Sequence, residues 1–64
     1  MEAWTGQLVG KMHINGIRGQ DVAREAGISH SYFSQILNGK RNPDGMRERM
    51  EAAVERILEK RKAI

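Results

Sequence analysis

The first hydrophobic pattern of this chain lies near its amino terminus, where large apolar residues recur every four positions. This spacing is typical of the buried face of an α-helix. It predicts a helix from about Thr5 to Asn15, with Thr5 as its N-cap. Gly6 and Gly10 each cost up to about 1 kcal/mol in a helix interior, so we expect a neighbouring element to approach both closely. The residues of the buried face are Trp4, Leu8 and Met12.

Two shorter hydrophobic patterns follow between Gly19 and Asn38, and Gly27 separates them. Glycine most cheaply adopts the left-handed conformation that ends a helix, and Ser29 is a good N-cap for a second one. The sequence therefore predicts two short helices joined by a tight turn, the second from Ser29 to Asn38 and ended by Gly39. The apolar positions expected to face inward are Val22, Ala23 and Ala26 in the first helix, Ile28 in the turn, and Phe33, Ile36 and Leu37 in the second.

A wide apolar stripe marks the last helix, which is predicted from about Asp44 or Met46 to near Ala63. Asn42 or Asp44 is expected to cap its start. The stripe is wider than a miniature bundle needs, so we expect one part to close the core and its edge to form the seam of a homodimer. The alternative is a fully intramolecular stripe with a frayed tail. The core positions are Met46, Met50, Ala53 and Ile57, and the edge positions are Val54, Leu58 and Ile64.

Size and composition limit the classes of protein to which the chain can belong. Its 64 residues allow a single domain, expected to span 1–64. The absence of cysteine excludes disulfides and thiolate metal sites. A net charge of +3 with a pI near 9.8 is compatible with a nucleic-acid partner. No apolar run approaches the roughly 20 residues of a membrane span and no secretory signal is visible, so we expect a soluble, cytoplasmic protein.

Candidate catalytic groups are sparse in this sequence. The two histidines, His13 and His30, lie far apart with no nearby pattern of metal ligands. The glycines form neither a phosphate-binding loop nor a dinucleotide fingerprint. So small a core also leaves little room for a catalytic pocket. We therefore expect no enzymatic activity, no metal and no cofactor.

A short helix, a glycine turn and a second short helix make the helix-turn-helix unit, whose second helix can lie in the DNA major groove. Over about Leu8 to Pro43, the sequence resembles the Cro and lambda-repressor-like, XRE-type family of bacterial and phage regulators. Its Ile-Leu-Asn-Gly-Lys-Arg-Asn-Pro run at 36–43 resembles the end of that family's recognition helix. The family often opens the unit with Ser or Thr followed by Gln, whereas this chain has Arg18 and Gly19, with Gln20 one residue later. The resemblance implies a compact all-α bundle of four to five helices around a central helix-turn-helix.

The second helix of this unit has a polar face that is expected to contact DNA bases. With Phe33 at the centre of the buried side, Ser31 and Gln35 point most directly outward. Gln35 can donate to and accept from an adenine edge, a bidentate contact worth roughly 1–3 kcal/mol of discrimination. The predicted base-contacting residues are His30, Ser31, Tyr32, Ser34 and Gln35.

Polar and basic residues on either side of this face are expected to contact the DNA backbone, which fixes register without reading sequence. Some members of the family use an Asn-Gly pair, here Asn38-Gly39, for phosphate binding. The simpler alternative is that these residues are merely solvated. The predicted phosphate-contacting residues are Arg18, Gln20, Asn38, Lys40, Arg41 and Asn42.

The predicted function is that of a sequence-specific transcriptional regulator, a Cro-type repressor of a phage or mobile element located at the bacterial nucleoid. Two-fold symmetry of a homodimer would match a palindromic operator in double-stranded DNA, and occupation of a promoter would block polymerase. Two alternatives remain open. The chain could be an antitoxin that represses its own operon, or a protein-interaction module that docks through its last helix.

Overall fold

The computed structural model describes residues 3–63, which form four helices and no strand. The predicted all-α fold class is confirmed, and four helices agree with the predicted four to five. Ile64, predicted for the dimer seam, lies outside the described residues. The helices are α1 (Ala3–Ile14), α2 (Gly19–Ala26), α3 (His30–Leu37) and α4 (Met46–Lys62).

Helix α1 differs from its prediction at its start and at its glycines. It already includes Ala3, so Thr5 lies inside the helix and is buried, with 1% of its surface exposed. The prediction that Thr5 caps the helix is therefore wrong. Gly6 and Gly10 face solvent, and a Cβ built at either position meets nothing within 4 Å. The close approach predicted at these two glycines is also wrong.

The connection between α2 and α3 has the predicted local chemistry. Gly27 ends α2 in the left-handed conformation, with φ of 77°. The Ile28 amide then donates to the Ala23 carbonyl at 2.9 Å. Ser29 caps α3, because its Oγ accepts a hydrogen bond from the Tyr32 amide at 3.0 Å. Both predicted caps are confirmed.

Gly19, the first residue of α2, lies in close contact with α3. A Cβ built there would lie 2.9 Å from Cε2 of Phe33, whose side chain is 1% exposed. Real Cβ atoms essentially never come that near another heavy atom. Glycine at this position therefore lets the start of α2 pack directly against the ring at the centre of α3.

Helix α4 closes the core by packing against α2 and α1. Val54, predicted for the dimer seam, is 1% exposed and belongs to the core of its own chain, so that prediction is wrong. Leu58 is half-buried and packs against the same core, as does Ile57. The buried hydrophobic residues are Leu8, Met12, Ile17, Val22, Ala23, Ala26, Phe33, Ile36, Met46, Met50, Ala53 and Val54.

The start of α4 is capped differently from the prediction. Gly45 occupies the N-cap position with φ of 76°, and no side chain caps the helix. Asn42 and Asp44 were the predicted caps, but the chain turns into the helix through the left-handed glycine. That turn leaves both polar residues before the cap position.

Basic side chains of α4 fasten this helix to the carboxyl end of α2. Arg49 Nε donates to the Ala26 carbonyl at 2.8 Å, and Arg56 Nη2 donates to the Glu25 carbonyl at 2.9 Å. The Glu25 carboxylate accepts from Lys60 Nζ at 2.6 Å and from Arg56 Nε at 3.3 Å. The hydrogen bond from Lys60, reinforced by Arg56, lowers the pKa of Glu25 against the opposing effect of burial. These bonds hold the carboxyl end of α2 against α4. Helix α3 is positioned in turn by its packing against α2.

Candidate nucleic-acid interface

Helix α3 separates its residues into a buried and an exposed side along the predicted line. Phe33 and Ile36 are buried. Ser31 is exposed, and the other outward residues are half-exposed, namely Tyr32, Ser34 and Gln35. Four of the five predicted base-contacting residues therefore lie together on the outward side of α3.

His30 takes a position nearer to the buried edge. Its ring stacks on Phe33, with 6.2 Å between ring centroids and 21° between ring planes. The same imidazole lies close to the start of α2, where its Nε2 is 3.5 Å from a Cβ built on Gly19. His30 is still exposed, so it covers the joint between α2 and α3 while remaining accessible at the amino end of α3.

Arg41 lies on the exposed surface of α3 although it follows that helix in the sequence. Its Nε donates to Oε1 of Gln35 at 2.7 Å, and its guanidinium carbon is 5.7 Å from the centroid of the Tyr32 ring. The chain returns toward the helix because Gly39 has φ of 77° and the Lys40 amide donates to the Gln35 carbonyl at 2.9 Å. We call Tyr32, Gln35 and Arg41 the α3 cluster.

The other five predicted phosphate-contacting residues are exposed and lie at two places in the chain. Arg18 and Gln20 lie at the start of α2. Asn38, Lys40 and Asn42 follow the end of α3. Within residues 3–63 their side chains form no hydrogen bond or ion pair, so each remains available to a partner. Arg41 is the one member of the predicted set that is joined to α3 by its side chain.

Acidic residues are absent from α3 and from the residues next to it in the chain. No acidic residue occurs from 26 to 43, a stretch that contains all of α3 and most of the loop after it, up to Pro43. Glu25, the acid just before that stretch, is paired with Arg56 and Lys60. Most other acidic residues lie on α4, where Glu51 pairs with Arg47 at 3.5 Å. A polyanion approaching α3 therefore meets cations and neutral donors rather than carboxylates.

An open groove lies between α1 and α4. Lys11 and Glu55 form an ion pair and both contribute to its lining. The hydrogen bond and the charge of Lys11 lower the pKa of Glu55. The groove lining includes no histidine, serine or cysteine.

Residues 3–63 contain neither a metal-binding cluster nor a membrane-spanning helix. No group of three or more histidine, cysteine, aspartate or glutamate residues is arranged to hold a metal ion. No helix in this part of the chain is both long enough and apolar enough to cross a membrane.

Comparison with known proteins finds no matching family model, no curated protein and no solved structure with significant similarity to the chain.

Proposed function

We propose that this protein is a sequence-specific double-stranded DNA-binding regulator that inserts α3 into the major groove. The observation that carries the proposal is the surface of α3, which presents neutral hydrogen-bonding side chains and on which Arg41 donates a hydrogen bond to Gln35. Side-chain hydroxyl and amide groups are among those that read base edges. The acid-free stretch from 26 to 43 adds a favourable electrostatic setting.

The free polar residues at both ends of the α2–α3 unit suit contacts to the DNA backbone. Arg18 and Gln20 precede or open α2, whereas Lys40 and Asn42 follow α3. Backbone contacts of this kind set the register of a recognition helix but carry no sequence information. A groove-bound α3 with phosphate contacts on either side is the arrangement expected of a lambda-repressor-like domain.

The regulatory role that fits this domain is Cro-type repression by occlusion of a promoter, in a phage or mobile element and in the bacterial cytoplasm. A homodimer on a palindromic operator would place two α3 helices about 34 Å apart. Of the three residues predicted for the seam, Leu58 is the one that the structure describes as partly exposed, since Val54 is buried.

The dimer is tested by Leu58→Glu, which we expect to shift sedimentation toward the monomer because it places a carboxylate in an apolar seam. Because Leu58 also packs against the core, thermal unfolding of Leu58→Glu checks that the effect is not unfolding, and Leu58→Ala separates the loss of the apolar side chain from the added charge. Ile14→Glu is the matched control, because Ile14 lies on α1 and is 84% exposed. A dimer that persists in Leu58→Glu but dissociates in Ile14→Glu would place the seam on α1.

The DNA-binding function is tested by selecting bound duplexes from a random pool at near-physiological salt. We expect enrichment of a palindrome whose half-site centres are about one helical turn apart. An enriched single half-site would retain the DNA reader and remove the dimer. Absence of enrichment, with binding that vanishes as salt rises, would reject the proposal and favour a module that binds another protein.

A further inference from the structure

The side-chain amide of Gln35 has a defined orientation in the α3 cluster. Its Oε1 lies 2.7 Å from Arg41 Nε. A guanidinium group can only donate hydrogen bonds, so the amide atom that faces it must be the oxygen. The Nε2 group of Gln35, with both of its N–H donors, is therefore turned away from Arg41.

Arg41 is held in this place from a second direction. The Tyr32 ring lies under the guanidinium at 5.7 Å from its centroid, a distance within the range of a cation–π contact. The glycine turn at Gly39 returns the chain to the helix before Arg41 is reached. The cation is thus part of the surface of α3 and not a freely swinging loop side chain.

Gln35 and Arg41 of the α3 cluster present hydrogen-bond donors to a base, because the Gln35 oxygen is taken up by Arg41. An isolated glutamine side chain would present one donor and one acceptor. A free glutamine suits adenine, because its oxygen accepts from N6 and its nitrogen donates to N7. Here the oxygen already accepts from Arg41. An adenine amino group that approached the remaining lone pair would also meet the N–H groups of the adjacent cation.

Guanine has the complementary pattern in the major groove. Its N7 and O6 are both acceptors on one base edge, whereas adenine combines an acceptor with a donor and thymine offers one acceptor, O4. The Nε2 of Gln35 and the terminal nitrogens of Arg41 can donate to two acceptors side by side. We propose, on the basis of the DNA-binding function proposed above, that Gln35 and Arg41 form a single donor pair that selects guanine at one position of each half-site.

Lys40 provides the matched control, because it is the neighbouring cation and its side chain has no contact of this kind. Its exposed side chain forms no hydrogen bond or ion pair in the described residues. Removal of Lys40 changes the local charge by the same amount as removal of Arg41. The Lys40→Ala variant leaves Gln35 Oε1 hydrogen-bonded to Arg41 Nε.

The test repeats the random-pool selection with the wild-type protein and with Gln35→Ala, Arg41→Ala and Lys40→Ala. The position whose preference disappears in Gln35→Ala is taken as the position read by the pair. Binding to duplexes that differ only there is then measured for each protein. Thermal unfolding checks that the variants, all at surface positions, remain folded.

We expect the wild-type protein to prefer guanine over adenine at that position by about ten-fold or more. Arg41→Ala frees the Gln35 oxygen and should shift the preference toward adenine. Lys40→Ala should weaken both duplexes equally and keep their ratio.

Three results would overturn the donor pair while an enriched motif still supports the DNA-binding function. These are a wild-type preference for adenine, a guanine-to-adenine ratio that Arg41→Ala does not change, and a motif that Gln35→Ala leaves intact. If the wild-type protein enriches no motif at all, the proposed function fails and the donor pair fails with it.

Discussion

The contact between Gly19 and Phe33 gives the sharpest stability prediction, because it sets how α3 lies on α2. In Gly19→Ala the new Cβ would lie 2.9 Å from a ring carbon of Phe33, which is 1% exposed and has little room to move. Overpacking of this kind typically costs about 1–3 kcal/mol. Gly19 has no positive φ, so alanine meets no backbone strain and gains up to about 1 kcal/mol of helix propensity.

The balance is a net destabilisation of about 1 kcal/mol, which lowers the Tm of a domain of this size by roughly 4–8 °C. Gly6→Ala and Gly10→Ala are matched controls, since a Cβ at either position meets nothing within 4 Å. We expect both to raise Tm through the same propensity. The assay is thermal unfolding followed by circular dichroism.

Phe33→Leu destabilises the core by itself, but in that background Gly19→Ala should cost less than in the wild-type protein, because the smaller side chain removes the ring carbon that meets the new methyl group. A rise in Tm for Gly19→Ala comparable to the rise for Gly6→Ala would refute the reasoning. It would mean that the ring gives way at no cost and that glycine is not needed at the joint.

Three further changes have expected outcomes of their own. Arg49→Met keeps the apolar stem but loses the hydrogen bond to the Ala26 carbonyl, so urea unfolding should show a free energy of unfolding lower by about 1 kcal/mol. Arg47→Met is the control: it loses only an exposed ion pair, and its free energy of unfolding should stay within about 0.5 kcal/mol of the wild-type value. The lowered pKa of Glu25 means that its contribution to the free energy of unfolding is present above its ordinary pKa and lost as pH falls through the folded value. Glu25→Gln should therefore weaken the decline of stability in acid, and an unchanged acid profile would contradict this. Lys40→Ala should flatten the salt dependence of DNA binding by about one unit, whereas an unchanged slope would exclude a phosphate contact.

Local sequence rules predicted the α2–α3 unit because its determinants lie close together in the chain. The hydrogen bonds that Gly27 and Ser29 form reach no more than four residues along the chain. The spacing of Phe33 and Ile36 identifies the buried side of α3 directly. The inward and outward sides of this helix could therefore be derived without knowledge of any other element.

Positions that depend on distant parts of the chain were harder to predict. Val54 falls at the edge of the stripe on a helical projection, yet α4 lies across α2 and α1 so that Val54 faces the core. Arg49 looks like one more surface cation until the orientation of α4 brings it to the Ala26 carbonyl. Gly19 resembles an ordinary departure from a family pattern, and only the packing of Phe33 explains it.

The contact between Arg41 and Gln35 could be predicted from the sequence only in part. The two residues are six positions apart, and the glycine at 39 signals that the chain turns between them. The helical projection of α3 predicted a base contact for Gln35. It could not place Arg41, which follows the end of the helix, so the sequence predicted a phosphate contact there. The hydrogen bond between them joins both residues into one surface.

The most direct measurement of the central claim is an NMR titration of the ¹⁵N-labelled protein with the duplex enriched from the random pool. We predict the largest chemical-shift changes in the side-chain amide of Gln35 and in the backbone amides of Ser31 and Ser34. Smaller changes are expected at Arg18 and from Asn38 to Asn42. Changes confined to the exposed face of α4, with the α3 signals unmoved, would contradict the account and place the interface on the last helix.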